Sequence, residues 1–121
     1  MDADQIVRDF CAAWGRADLE HIMGAFADDA VYHNIPMPML QGKAEIENFI
    51  KGFLETNPDG IDFDIKQQVA SGAIVFNERI DSFAVGDKEI AAPVCGVFEL
   101  TADGKISAWR DYFDMGQFTG A

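Results

Sequence analysis

Arg79 and Asp81 are charged side chains in a segment that otherwise has the pattern of a buried strand. Period-two alternation over residues 77–83 places both on the same face as Val75 and Phe83. An arginine and a carboxylate beside apolar neighbours are expected only where each satisfies the other. This pair is therefore the first candidate for chemistry.

Asp111 is a second acidic residue on an apolar strand face. Within residues 106–114 it shares that face with Trp109 and Phe113. Two aspartates and one arginine on faces that look buried indicate a proton-handling site. The alternative is a structural ion pair together with a surface aspartate, and the periodicity leaves both open.

Tyr32 and Asn34 share one face of a short strand predicted over residues 30–34, opposite His33. A hydroxyl and an amide two residues apart can both reach a small molecule such as water. The alternative is that they only satisfy backbone groups at the end of the strand. His21 and His33 lack partners at the spacing of a metal site or a nucleophile relay, and we interpret both as structural or solvated.

The elements that must position these residues begin with helices. Apolar spacing predicts a first helix over residues 3–15 and a third over residues 43–55, with a short second helix between them. Asp18 is the predicted N-cap of the second helix, and Phe26 is its last inward-facing residue.

Everything after Gly60 has the pattern of strands separated by glycine-containing turns. The four predicted strands cover residues 61–71, 73–85, 88–101 and 105–114. Short turns make these strands consecutive antiparallel neighbours. The sequence therefore predicts an α+β fold, in which three N-terminal helices pack on a curved, mostly antiparallel β-sheet, as a single domain over residues 1–121.

Composition limits the possible partners. The 121 residues carry 21 acidic and 9 basic side chains, a net charge of −12, which opposes binding to nucleic acid or an anionic membrane. Cys11 and Cys95 are isolated, so neither a disulfide framework nor a zinc site is expected. The acidic, amphipathic N-terminus differs from a signal peptide, and we expect a cytoplasmic protein.

Several segments together resemble a known family. Residues 25–31, Ala-Phe-Ala-Asp-Asp-Ala-Val, resemble the second helix and first strand of the NTF2-like superfamily, which includes ketosteroid isomerase and the SnoaL-like cyclases. The more specific resemblance is to the limonene-1,2-epoxide hydrolase family. The matching motifs are Tyr32-x-Asn34-x-Pro36, Glu78-Arg79-x-Asp81, Gly96-Val97-Phe98-x-Leu100 and Trp109-Arg110-Asp111-Tyr112-Phe113-Asp114.

The resemblance implies an NTF2-like cone and a role for each polar residue. Asp111, with Tyr32 and Asn34, would hold and deprotonate a water molecule. Asp81 would protonate the oxygen of a small epoxide, and Arg79 would bridge the two aspartates. The implied product is a trans vicinal diol, formed without a cofactor, a metal or a covalent intermediate.

The charges of the cluster are consistent with these roles. An arginine is always protonated, so two ionised aspartates beside it would leave a buried charge of −1. Desolvation favours one added proton, which makes the cluster neutral and provides an acid beside a base.

Two other functions remain open at this point. In an isomerase similar to ketosteroid isomerase, or a related cyclase, the general-base aspartate would fall at Asn34 and the oxyanion-hole tyrosine near Phe10. Neither residue type can do that chemistry. In a non-catalytic ligand-binding module the charged residues would only be structural, which leaves the Tyr32 and Asn34 pair unexplained.

The substrate pocket and the assembly are predicted only in outline. Five apolar residues are candidates for a pocket that binds the epoxide: Met23, Met37, Met39, Phe83 and Phe98. The face of the sheet opposite the helices is expected to be apolar and to pack against a second copy, giving a homodimer.

Overall fold

The computed structural model describes residues 1–119, and these form six strands and four helices. In chain order the elements are α1 (Ala3–Gly15), α2 (Leu19–Gly24), β1 (Phe26–Ile35), β2 (Leu40–Gln41), α3 (Lys43–Thr56), β3 (Asp62–Ser71), β4 (Ile74–Val85), β5 (Lys88–Leu100), β6 (Ile106–Tyr112) and α4 (Gly116–Thr119). Within this part of the chain no helix combines the length and apolarity needed to span a membrane.

All six strands belong to one curved, unclosed sheet with the order β2-β1-β6-β5-β4-β3. Strands β3 to β6 form the predicted antiparallel meander. Strand β1 pairs in parallel with β6, the last strand in the chain, so the first and last strands are neighbours. The predicted α+β class, with three N-terminal helices on a mostly antiparallel sheet, is confirmed.

The helices cover one face of the sheet and close an aromatic core. Phe10 of α1 contacts the rings of Phe26, Phe98 and Trp109 at centroid distances of 5.5, 6.0 and 5.0 Å. The edge-to-face arrangement of these pairs is the one that aromatic quadrupoles favour. This core packs against the same faces of β4 and β6 that carry Arg79, Asp81 and Asp111.

Two local predictions differ from the structure. Phe26 was expected to end α2, but α2 ends at Gly24 and Phe26 opens β1, where it pairs with Ile106 of β6. Its side chain still faces the core, so the apolar spacing was satisfied by a strand rather than a helix. Strand β2 and helix α4 were not predicted, because elements of two and four residues carry no measurable periodicity.

Candidate active site

Arg79 of β4 joins two aspartates that lie on different strands. Its Nε and Nη2 atoms donate to the two carboxylate oxygens of Asp81 over 2.9 and 2.8 Å, and Nη2 also donates to Oδ2 of Asp111 on β6 over 2.8 Å. All three side chains are buried, and Arg79 is 0% exposed. The arginine and both aspartates predicted from the sequence therefore form one continuous cluster.

Gly96 of β5 makes this bridge sterically possible. It lies between Asn77 of β4 and Asp111 of β6 in the register of the sheet. A Cβ atom at this position would overlap Nη1 of Arg79 and would lie 2.9 Å from Oδ1 of Asp111. The guanidinium group therefore crosses β5 through space that only glycine leaves free.

Tyr32 and Asn34 reach the cluster from β1. In the parallel register, Asn34 lies beside Asp111 and Tyr32 lies beside Trp109. The Tyr32 hydroxyl donates to Oδ1 of Asn34 over 3.2 Å, and the Tyr32 ring stacks on Trp109 at 4.1 Å. This bond leaves the amide hydrogens of Asn34 directed elsewhere, and they make no hydrogen bond within the part of the chain whose side chains are described. All five predicted polar residues thus meet at one end of the sheet.

Trp109 also donates a hydrogen bond at this site, a role that was not predicted from the sequence. Its Nε1 donates to Oδ1 of Asp111 over 2.7 Å. Each oxygen of Asp111 therefore accepts one bond from the protein, from Trp109 and from Arg79, and each keeps a lone pair for a further partner. The signal was present, because Trp109 and Asp111 are two residues apart on one strand face.

The protonation of the cluster follows from burial and charge. Burial raises the pKa of Asp81 to about 6, although the bonds and the positive charge of Arg79 act against this rise. Burial alone would lower the pKa of Arg79, but Asp111 and Asp81 outweigh it and hold that pKa well above its ordinary value. Burial and the charge of Asp111 raise the pKa of Tyr32, which therefore remains a hydroxyl donor.

The polar cluster opens into a cavity of about 280 Å³. Its polar wall is formed by Tyr32, Asn34, Asp81 and Asp111, whereas Arg79 lies behind them. The other lining residues are apolar or aromatic: Trp14, Met37, Phe49, Phe53, Ile61, Phe63, Phe83, Val85, Ala92, Val94, Phe113 and Met115. Such a cavity suits a small, uncharged, largely apolar molecule with one polar reacting group.

Of the five residues predicted to line the apolar pocket, the structure places two at this cavity and three elsewhere. Met37 and Phe83 line the cavity. Met23 is buried in the core on α2, Phe98 is fully buried behind Trp109 with its ring stacked at 5.4 Å, and Met39 is 49% exposed on the loop before β2. Tertiary packing determines where these three side chains lie, and residue type alone does not predict it.

Other chemistry finds little support in the described part of the chain. No group of three or more histidine, cysteine, aspartate or glutamate side chains has the geometry of a metal site there. Burial raises the pKa of the Cys11 thiol to about 12, so this side chain stays protonated and is a poor nucleophile. The carboxylates joined by Arg79 are the groups able to move protons at the cavity wall.

Comparison with known proteins gives the family of the chain. The family described as the limonene-1,2-epoxide hydrolase catalytic domain matches residues 1–120. The chain belongs to the limonene-1,2-epoxide hydrolase family. The resemblance found in the sequence is thereby confirmed, and with it the assignment of the chain as a hydrolase that acts on epoxides.

Similar proteins agree with this assignment. The chain is 33% identical over 109 residues to epoxide hydrolase EphG of Mycobacterium tuberculosis, covering 90% of this chain and 71% of that protein. A solved structure of an LEH-like epoxide hydrolase from M. tuberculosis matches with a TM-score of 0.83 and 32% identity, covering 98% of this chain and 87% of the other.

More distant structures share the fold alone. The epoxide hydrolase/cyclase-like enzyme SalBIII, from the polyether salinomycin system, matches with a TM-score of 0.86 at 16% identity, covering 95% of this chain and 92% of that chain. A SnoaL-like polyketide cyclase from Shewanella denitrificans matches with a TM-score of 0.86 at 15% identity, covering 98% and 94%. The limonene-1,2-epoxide hydrolase family thus shares its architecture with proteins named for other reactions.

Proposed function

We propose that this member of the limonene-1,2-epoxide hydrolase family adds water to a small, mostly apolar epoxide in one step and releases a trans vicinal diol. The observation that carries the proposal is the position of Asp81 and Asp111, which share Nη2 of Arg79 and both line the same apolar cavity. An acid and a base held side by side are the pair that a push-pull ring opening requires.

Asp81 is the proposed acid. Its pKa, raised to about 6 by burial, leaves about one-tenth of the side chain protonated at pH 7, far more than an ordinary aspartate would keep. Both of its oxygens accept bonds from Arg79, and a proton on either oxygen still has a free direction toward the cavity. As the epoxide carbon–oxygen bond breaks, this proton moves to the oxygen of the opening ring.

Asp111 is the proposed base. Trp109 and Arg79 each hold one of its oxygens, so the carboxylate is fixed in orientation. The free amide hydrogens of Asn34 and the Tyr32 hydroxyl lie beside it, so a water molecule bonded to all three groups would be aligned for attack. The water oxygen bonds to the epoxide carbon while Asp111 takes its proton.

The atoms balance without a cofactor. Water contributes one oxygen to the diol, and the epoxide oxygen becomes the second hydroxyl group. After the reaction Asp111 holds a proton and Asp81 lacks one, so a single proton transfer between them, by way of the solvent, restores the starting state. Attack from the face opposite the breaking bond gives the trans product from a cyclic epoxide.

The proposed substrate is set by the cavity. Its volume of about 280 Å³ lies just below the range of roughly 300–1,000 Å³ found for ligand pockets. Among the described residues that line it, seven carry aromatic rings and none is cationic, because Arg79 lies behind the aspartates. A small cyclic or aryl epoxide therefore fits this site better than a charged or extended one.

The homodimer belongs to the same proposal. On the sheet face turned away from the core, Val69, Ile74, Phe76 and Tyr112 are between 41% and 66% exposed. Val69 and Phe76 are direct cross-strand neighbours, so these two side chains form one apolar patch. A second copy packed on this face would cover it. Light scattering should then give twice the chain mass for the wild-type protein, and the monomer mass for a Phe76→Glu variant.

The predicted cytoplasmic location, and the predicted absence of nucleic-acid and membrane partners, stay predictions.

The test is a panel of small cyclic, aryl and linear epoxides incubated with the purified protein, with diols detected by chiral gas chromatography. Formation of trans diols from cyclic substrates is the expected result. An Asp81→Asn variant, purified in the same way, controls for spontaneous and contaminating hydrolysis. Absence of diol from every epoxide in the panel would refute the proposed activity.

A further inference from the structure

Arg79 makes one hydrogen bond that has no part in the proposed proton transfers. Its Nη1 donates to Oδ1 of Asn77 over 2.9 Å, on the side of the guanidinium group away from Asp81. Asn77 is 2% exposed and lies two residues before Arg79 on the same face of β4. A buried amide in that position needs partners for its own hydrogens as well.

Those partners form a chain that ends at the protein surface. Nδ2 of Asn77 donates to Oε1 of Gln68 over 3.0 Å, and Nε2 of Gln68 donates to the backbone oxygen and Oδ1 of Asp4 over 3.0 and 2.8 Å. The other oxygen of Asp4 accepts a bond from Arg8 over 3.0 Å. Two amides thus connect the arginine of the active site to a carboxylate on α1.

The two ends of this chain fix the orientation of both amides. A guanidinium group has only donors, so Asn77 must turn its oxygen toward Arg79 and its nitrogen toward Gln68. A carboxylate has only acceptors, so Gln68 must turn its nitrogen toward Asp4. The relay of Asn77 and Gln68 therefore has a single arrangement that satisfies every group.

A bulge in β3 selects Gln68 for this relay. The pairing of β3 with β4 shifts by one residue between Ile65 and Gln67. Because of this shift Gln68, rather than Gln67, faces inward and lies directly opposite Asn77. Gln67 faces outward instead, where it donates to Glu78 over 3.3 Å.

We propose that Asn77 and Gln68 are positioning residues that hold Arg79 in the orientation in which one nitrogen serves both aspartates. The proposal rests on the proposed epoxide hydrolysis. Neither residue lines the cavity, so each acts through Arg79 rather than on the substrate. With Nη1 held by Asn77, Asp111 accepts only one bond from the arginine. Without the hydrogen bond from Nη1 to Asn77, the guanidinium group can tilt and donate to both oxygens of Asp111. Two such bonds would stabilise the ionised carboxylate and make it a weaker base.

The test compares three purified variants with the wild-type protein: Asn77→Leu, Gln68→Leu and, as the matched control on the opposite face, Gln67→Leu. Loss of a charge-assisted hydrogen bond gives an expected fall in kcat of about tenfold for Asn77→Leu, and a smaller fall for Gln68→Leu. KM should stay unchanged, because the cavity wall is intact. Gln67→Leu should keep the wild-type values.

A second readout does not need activity. The guanidinium signals of Arg79 in ¹⁵N–¹H NMR should be sharp and slow to exchange in the wild-type protein and should broaden in Asn77→Leu and Gln68→Leu. Asn57, a buried amide that bonds to Ala84 away from the cluster, provides the structural control. Asn57→Leu should lower Tm while leaving the Arg79 signals and kcat unchanged.

The possible outcomes separate this proposal from the proposed function. Wild-type kcat and unchanged Arg79 signals in Gln68→Leu and Asn77→Leu would overturn the positioning role. If Asn77→Leu does not fold, kcat and the Arg79 signals of the Gln68→Leu variant decide the question alone, because Gln68 is only half-buried. If the wild-type protein converts no epoxide but its Arg79 signals still broaden in the variants, the proposed function fails and the relay is supported.

Discussion

Gly96 lies directly under the guanidinium group of Arg79. The guanidinium group occupies the space that a side chain at position 96 would fill. The arginine is on β4 and its second carboxylate partner, Asp111, is on β6, so the bond between them must cross β5. A Cβ atom on Gly96 would overlap Arg79 and approach Oδ1 of Asn77 to 2.9 Å. The bridge therefore depends on a residue that takes no part in the chemistry.

Gly96→Ala should uncouple the two aspartates. The new methyl group displaces a side chain that is fully buried and held by bonds on all sides, so Arg79 can no longer contact both carboxylates. We expect kcat to fall by at least about 100-fold, as when a catalytic group is misplaced. Gly52→Ala in α3 is the matched control, since nothing lies within 4 Å of its Cβ position. Near-wild-type turnover by Gly96→Ala would show that the shared arginine is dispensable.

Asp81→Asn and Asp111→Asn should each remove one half of the proposed proton transfer. An amide of the same size cannot supply or accept the proton, and loss of an acid or base costs roughly 10²- to 10⁴-fold in rate. Circular dichroism should show an unchanged fold. Asp64→Asn, at an exposed aspartate paired with Lys66, should keep full activity. If either active-site variant retained most of its turnover, that aspartate would have only a structural role.

The local part of the site could be predicted from the sequence, because it depends on strand alternation alone. Arg79 and Asp81 are two residues apart on one strand, as are Tyr32 and Asn34, so each pair shares a face in any regular strand. The approach of Asp111 to Arg79 depends instead on strand order and on Gly96. Neither is encoded in periodicity, and the family resemblance supplied that part of the prediction.

The apolar lining was less predictable, because it depends on how helices pack on the sheet. Phe49 and Phe53 of α3 have the spacing of ordinary core residues, yet both line the cavity. Phe98 has the same type and a similar pattern but lies on the far side of Trp109. Which aromatic residue faces the cavity is decided by tertiary contacts between elements distant in sequence.

The rate should fall with rising pH through the pKa of Asp81. The acid acts only in its protonated form, and burial raises its pKa to about 6. We therefore expect the alkaline limb of kcat/KM to have its midpoint near pH 6, since this limb reports the acid in the free enzyme. Initial rates from pH 5 to pH 9 would measure it, and a flat profile over that range would exclude Asp81 as the acid.

Asp81 should also make the free energy of unfolding depend on pH. The folded protein binds this proton more tightly than the unfolded chain, whose ordinary value is 3.8, so the contribution of Asp81 is fully present below pH 3.8 and is lost as pH rises to about 6. The free energy of unfolding of the wild-type protein minus that of Asp81→Asn should therefore decrease across this interval. Urea titrations at several pH values would measure the difference, and a difference that rises with pH would contradict the assignment.

The source of the new oxygen distinguishes one-step hydration from a covalent route. If Asp111 acts as a base, the attacking oxygen comes from water in every turnover. If Asp111 attacked the epoxide carbon itself, hydrolysis of the resulting ester would give a first diol carrying a carboxylate oxygen. Tyr32 and Asn34 lie beside Asp111 and offer the groups that hold a water molecule there, which favours the first case. A single turnover in ¹⁸O-labelled water, with enzyme in excess, should place the label in the diol. Unlabelled diol, with label recovered in a peptide containing Asp111, would refute the one-step mechanism.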